Sequence, residues 1–271
     1  MKRYWHGVVF LLVALVGMTS CNELTKVQKS TDVLEKYSYA KKFYNTEKYD
    51  WAASLLEEVL PYLEGTSEGE RALYLQGQTY YKLKDYLMSQ ISFRKYYTRY
   101  PNGEYAELAR FYAGYGLAQD MPDPRLDQTK TYEAMHELQL FLDFYPESEK
   151  AEEAKETLFA LQENLALKEV YNMELYYNLG NYIFNNYESC IIVARNAMRD
   201  YPYSIYKEKM HYYVVASLYE MARNSVVEKQ QQRLRDLRDE CYNYYNEYPE
   251  GAHRSKVDSY MAYAEKHIGE D

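Results

Sequence analysis

The stretch YTRYPNG, from Tyr97 to Gly103, has three cousins further along the chain. They are LDFYPES (Leu142 to Ser148), MRDYPYS (Met198 to Ser204) and YNEYPEG (Tyr245 to Gly251). Each reads a bulky apolar residue, two more residues, Tyr-Pro, one residue, then Gly or Ser. Proline has no backbone N–H and steers its predecessor away from helical dihedrals. A Ser or Gly two positions later suits the cap of a following helix. Each copy therefore marks a corner where one helix stops and the next begins, and four copies imply a chain of similar helical hairpins.

The spacing between corners supports this. Ala40, Gly77 and Gly114 are each 37 residues apart, as are Ala52 and Ser89, with Tyr49 and Tyr86 three residues upstream of those two. The counterpart of Ser89 is Ala134, 45 residues on, and the extra eight are DMPDPRLD (Asp120 to Asp127), a loop insertion with two prolines. A period in the thirties is the signature of a solenoid of helical hairpins. Within a unit, small residues fall where two helices cross closely and aromatics fill the adjoining gap.

The expected helices run near 32–46, 48–63, 68–83, 85–99, 104–119, 128–144, 148–183, 187–200, 204–224, 228–247 and 252–267. Ser67 with Glu70 has the spacing of a capping box, and so does Asp32 with Glu35. The segment 148–183 lacks a breaker until Gly180, so it reads as one long helix linking a front half to a back half.

Composition agrees with helix. Pro (7) and Gly (11) are few among 271 residues, while Tyr reaches 35. The net charge of −9 argues against non-specific nucleic-acid binding, which needs a basic face, so no nucleic-acid partner is expected. Residues 1–20 read as a lipoprotein signal peptide: Lys2 and Arg3, an apolar run from Gly7 to Gly17, then small residues before Cys21. The Thr19-Ser20-Cys21 ending resembles a bacterial lipobox, which implies acylation at Cys21 and anchoring to a lipid bilayer. Losing Lys2 and Arg3 with the leader takes the charge from −9 to −11. Residues 21–30 read as the lipidated Cys and a tether. Cys190 and Cys241 fall at core-type helix positions and are expected as buried thiols, with a disulfide as the alternative.

Signals of catalysis are lacking. There is no G-x-S-x-G, no phosphate-binding G-x-x-x-x-G-K-[ST] and no H-E-x-x-H. His136, His211, His253 and His267 show no metal-ligand spacing. No enzyme activity, cofactor or metal is expected.

The units resemble the tetratricopeptide repeat. Gly77, Tyr80, Ser89, Phe93 and Pro101 carry its full pattern of small, aromatic, small, aromatic and closing proline. Ala40, Phe43, Ala52 and Leu56 carry it in the preceding unit, and Gly114, Leu117, Ala134, Leu138 and Pro146 in the following one. The fold implied is all-α, a right-handed superhelix of about five helical hairpins. Units 1–3 occupy residues 31–146; units 4–5, with the linking and terminal helices, occupy 147–271. In that repeat family the first helix of each unit faces a groove that binds extended peptide. The corresponding groove residues are Tyr37, Lys41 and Tyr44, then Tyr74, Gln78, Tyr81 and Lys82, then Phe111, Tyr115 and Gln119. These rings also suit packing between repeats. The polar stretch Val227 to Glu240 reads as a solvated face or a second partner surface.

The lipobox, the repeats and the stretches FLDFYPESEKAEEA (Phe141 to Ala154), DQTKTYEAMHEL (Asp127 to Leu138) and KEVYNMELYYNLGNY (Lys168 to Tyr182) together resemble the BamD family, lipoproteins of the outer-membrane β-barrel assembly machine. The resemblance implies a non-enzymatic protein at the outer membrane, most often facing the periplasm. Its front repeats would engage unfolded outer-membrane proteins, and its back half would dock onto the periplasmic domains of the barrel-forming subunit. A glycan-binding surface lipoprotein and a generic repeat scaffold are the alternatives.

Overall fold

A computed structural model describes residues 23–269. The leader, Cys21 and its expected acylation lie outside the described residues. After helical residues 23–28, eleven α-helices follow one another, with no strand among the described residues: α1 Val33–Asn45, α2 Tyr49–Leu63, α3 Ser67–Lys82, α4 Tyr86–Arg99, α5 Ala106–Ala118, α6 Thr129–Phe144, α7 Ala151–Leu179, α8 Asn186–Asp200, α9 Lys207–Arg223, α10 Val227–Glu247 and α11 Arg254–His267. Every helix expected from the corners and the periodicity is present, with ends within about three or four residues. The protein is an all-α array of tetratricopeptide-like hairpins.

The chain forms two compact units. The first holds residues up to Met121 together with Thr129–Thr157; the second holds Pro122–Gln128 and Leu158 onward. In the first, Ala40, Phe43, Ala52, Leu55 and Leu56 are fully buried between α1 and α2, and Leu73, Phe93, Tyr96 and Ala109 continue the core through α3, α4 and α5. A methyl group on Gly77 would meet the Phe93 ring at 2.6 Å. The small-plus-aromatic pairing read from the spacing is therefore a close helix crossing. Residues 23–28 of the expected tether are helical, with Val27 buried in the first core and Glu23 paired to Lys42 at 2.5 Å. In the second unit α7, α8 and α9 share one core, and α9, α10 and α11 another. There the insertion is tied down by buried amides: Asn164 Nδ2 donates to Gln128 Oε1 (2.8 Å) and to Pro122 O (3.2 Å).

The corners work differently from the capping expectation. The Gly or Ser of each corner lies three residues before the next helix, whose first residues are Ala106, Ala151, Lys207 and Arg254. A glutamate from the repeat's first helix closes the corner instead. Glu70 accepts from Tyr96 Oη (2.7 Å) and from the backbone N–H of Glu104 (3.2 Å). Glu208 does the same with Tyr244 Oη (2.6 Å) and the N–H of His253 (3.0 Å). Glu107 accepts from Ser148 Oγ, and Glu163 from Ser204 Oγ (3.0 Å) and the N–H of Ile205 (3.3 Å).

Two corner types result. Where the tyrosine four residues before the corner Tyr reaches in, at Tyr96 and Tyr244, the corner carries Gly. A Cβ on Gly103 or Gly251 would lie 2.5–2.7 Å from that hydroxyl and the glutamate oxygen. Where that place holds Phe141 or Ala197, a serine supplies the hydroxyl. Glu70, Glu163 and Glu208 thereby accept from backbone N–H groups just ahead of the following helix, near its positive end.

The capping box of Ser67 with Glu70 is thus corrected. Thr66 caps α3, accepting from the N–H of Gly69 at 3.0 Å, because Glu70 is committed to the corner. Asp32 does cap α1, accepting from the N–H groups of Leu34 and Glu35. Cys190 and Cys241 are both free and buried. Burial pushes the Cys190 thiol up to about 11 and the Cys241 thiol to about 12, so both stay protonated.

Candidate functional site

On the first unit, α1 and α3 present their expected groove faces side by side. Between them lies an open pocket of about 320 Å³, at the lower end of ligand pockets, which run roughly 300–1,000 Å³. Tyr37, Lys41, Tyr44 and Tyr74 line it, joined by Asn45, Arg71, Leu75 and Tyr105. Tyrosine offers a broad apolar ring with a polar tip at small entropic cost, which suits binding of an extended chain.

A shared layer of rings holds the walls. Tyr74 stacks on Tyr105 with centroids 4.3 Å apart and planes 14° apart, and meets Phe93 and Tyr96 from behind. Gln78 ties the two helices' hydroxyls together: its Nε2 donates to Tyr74 Oη at 2.9 Å, and its Oε1 accepts from Tyr44 Oη at 3.4 Å. Tyr74 Oη therefore keeps its own proton to donate outward. Burial pushes the Tyr74 phenol up to about 12, so the ring is neutral and a donor at any physiological pH. Burial likewise raises Tyr37 and Tyr44. Tyr37 is only 5% exposed, so it forms a wall rather than a reaching contact.

Charge enters at the mouth. Lys41 Nζ sits 4.6 Å over the Tyr37 ring. The Arg71 guanidinium comes no closer than 4.0 Å to Glu104, and the two side chains are 67% and 60% exposed. A pair that loose and solvated contributes little. Glu68 is the other nearby carboxylate, held below the usual range first by Ser67 and also by Arg71 and Lys41.

The remaining expected residues lie elsewhere. Tyr81 packs against Tyr86 and Tyr112, with burial raising its phenol to about 12. Lys82 is exposed at the end of α3, and Gln119 is exposed at the end of α5. Tyr115 stacks on Phe111 at 4.8 Å. Phe111 is fully buried and packs edge-on against Phe141, so it belongs to the α5–α6 core and faces no groove. Arg71, Asn45, Leu75 and Tyr105 were not anticipated. Arg71 lies one turn before Tyr74 on the same face and was within reach of the periodicity. Tyr105 sits beyond a corner, where helical spacing says nothing.

Among the described residues no group of three His, Cys, Asp or Glu could hold a metal ion, and no helix is long and apolar enough to cross a membrane. The fold and the pocket define a tetratricopeptide-like repeat protein with a ring-lined face. The family described as YfiO, outer membrane lipoprotein, matches residues 29–185, more than half of the chain, and the chain belongs to that family. The match associates it with the outer membrane. No curated protein matches the chain.

Proposed function

We propose that this protein is a BamD-like, non-enzymatic component of the machinery that assembles β-barrel proteins in the outer membrane. It is held at the bilayer through acylated Cys21, on the periplasmic side. The pocket between α1 and α3 takes an apolar or aromatic side chain of an unfolded barrel protein in extended conformation. The second unit docks onto the periplasmic domains of the barrel-forming subunit.

The observation that carries this reading is the open, tyrosine-walled pocket on the first helices of the first two repeats, in a chain of an outer membrane lipoprotein family. For the second unit the support is a set of solvent-facing apolar side chains after α7. Tyr182, Ile183 and Phe184 are each more than 70% exposed, and Ile183 is held at φ +67°, a costly setting for a β-branched residue.

Three measurements test it. Gentle extraction from membranes should co-isolate a barrel-forming subunit, and the serine variant at Cys21 should release the protein from the membrane fraction. Tyr44→Ala, checked for unchanged helicity, should weaken binding of a strand-forming peptide about tenfold, as expected for loss of one well-packed ring. Retention on polysaccharide with no captured barrel subunit would instead favour the glycan-binding alternative.

A further inference from the structure

The chain joins its fold sooner after Cys21 than the sequence suggests. Residues 23–28 are helical and lie along the first hairpin. Val27 is buried in that hairpin's core, Leu24 packs against the same cluster, and Gln28 Nε2 donates to Ser54 Oγ at 3.3 Å. The segment runs against α1: Glu23 pairs with Lys42 near the end of that helix, and Ser30 Oγ donates to Glu35 near its start. Glu23 therefore lies beside the α1–α2 turn. Its carboxyl is held below the usual range first by the Lys42 bond, with the charge of Lys48 adding to it. An acylated Cys21 can hold Glu23 no further away than about 7 Å, the span of two residues. The headgroup layer of a bilayer is itself about 5–8 Å deep. A link that short cannot carry the turn clear of it.

The same turn is built unlike its counterparts. Lys48 Nζ lies 4.5 Å over the half-buried Trp51 ring, and Lys42 Nζ 5.3 Å over half-buried Tyr39. Both rings pack on the buried Phe43, with centroids 5.2 and 6.0 Å from it. One 37-residue period on, the places of Tyr39, Lys42, Lys48 and Trp51 hold Gln76, Thr79, Asp85 and Met88. In the third repeat the places of Tyr39 and Trp51 hold Ala113 and Glu133. The repeat fold therefore does not call for two rings and two lysines here. The end of a repeat array does need a cap, but Leu24 and Val27 supply it and still leave both rings part-exposed. Amphipathic rings and lysines are the side chains that suit a headgroup layer: the ring and the lysine stem lie against apolar atoms while the polar tips reach phosphate and water. Glu47 and Asp50, exposed on the same turn, keep the patch near neutral, so the rings and not net charge set its preference.

We propose, resting on the acylation of Cys21 proposed above, that the short link presses the α1–α2 turn against the bilayer, with Trp51 and Tyr39 in the headgroup layer and Lys42 and Lys48 facing lipid phosphates. The first hairpin is then seated on the membrane surface and does not swing on a flexible tether.

The test uses the acylated chain, purified from membranes and reconstituted in vesicles of phosphatidylethanolamine and phosphatidylglycerol. The chain's two tryptophans are Trp5 and Trp51, so Trp51 is the one indole left once the leader is removed. Flotation with the vesicles reads anchoring. Quenching of Trp51 emission by lipids brominated high on their acyl chains reads contact. The protein should float, and its emission should be strongly quenched. A ten-residue Gly/Ser spacer after Asn22, which adds roughly 16–19 Å of reach, should leave flotation unchanged and cut the quenching severalfold. Lys48→Glu, which sets a carboxylate against the lipid phosphates, should also reduce it; no reduction overturns the part given to the lysines. Flotation without quenching overturns the lipid contact and leaves the anchor intact. Quenching undiminished by the spacer overturns the role of the short link. Failure to float overturns the acylation reading and this inference together.

Discussion

The α3–α4 hairpin of the first unit and the α9–α10 hairpin of the second are built on one plan. In each, a glutamate latches a Tyr-Pro-x-Gly corner, a tyrosine hydroxyl fills the space that only glycine leaves, and an aromatic ring stacks on the residue beyond the corner. They differ in two places. The close crossing is filled by Gly77 against Phe93 in the first. The corresponding places in the second hold Val215 and Cys241, both fully buried in one cluster. The cation beside the ring stack is loose in the first and neutralised in the second. The shared parts hold the fold together, and the parts that differ are where binding can be tuned.

The core difference gives the largest effects. Phe93→Ala should cost about 3–5 kcal/mol of stability in chemical denaturation, the range for emptying a buried aromatic site, while Cys241→Ala should cost far less because fewer atoms leave. Gly77→Val alone should cost about 1–3 kcal/mol through overpacking against the Phe93 ring. Combined with Phe93→Cys it should cost less than the sum of the two single changes, because the double variant moves volume across the crossing as the second unit does. Strict additivity in that cycle would break the comparison at the core.

The corners come next. Glu70→Ala and Glu208→Ala should each cost about 1.5–3 kcal/mol, since a hydroxyl and a backbone N–H lose a charged partner. If the latches are equivalent, the two losses should match and add.

A pH effect separates the units. Glu240, hydrogen-bonded to the buried His211 at 2.9 Å and facing Arg195, is held below its usual 4.5 chiefly by the His211 bond; Glu247, itself paired with Lys207, and the Tyr244 and Tyr248 rings surround the same imidazole. A depressed carboxylate stabilises the fold above its unfolded value, and that contribution is lost as pH falls below about 4.5 and through the folded value. Glu240→Gln should therefore flatten the acid side of the melting-temperature profile and lower stability at neutral pH. An unchanged acid limb would show that other carboxylates govern it.

The smallest effect is expected at Lys209. Removing its pair with Glu174 by Lys209→Gln should change stability by about 1 kcal/mol or less. Its value is in sharpening the contrast, because the substitution should leave peptide affinity untouched where Tyr44→Ala does not.

Much of this was legible in the residue order. Pro and small residues at a 37-residue period set the helices and their corners, and the positions of Ala40, Gly77 and Gly114 marked the tight crossings. Four of the pocket's eight lining residues followed from the spacing of Tyr37, Lys41, Tyr44 and Tyr74 on helix faces. Phe111 was misread because the same three-and-four spacing describes a ring turned toward the groove and a ring turned into the next helix. The misplaced capping box at Ser67 has a related cause. Local spacing offered Glu70 a partner three residues away, but a buried hydroxyl and an amide 26 and 34 residues away compete more strongly for one carboxylate.

Local sequence alone determined what depends on backbone chemistry and periodic burial: all-helical structure, the repeat length, the corners, the eight-residue insertion and the buried thiols. Tertiary structure decided what depends on approach between distant segments. It gave the glutamates to the corners, brought Tyr105 onto Tyr74, and left Arg71 loose while pairing Lys209. Those outcomes turn on a few ångströms between side chains from different repeats, a distance to which the spacing within any one helix is blind.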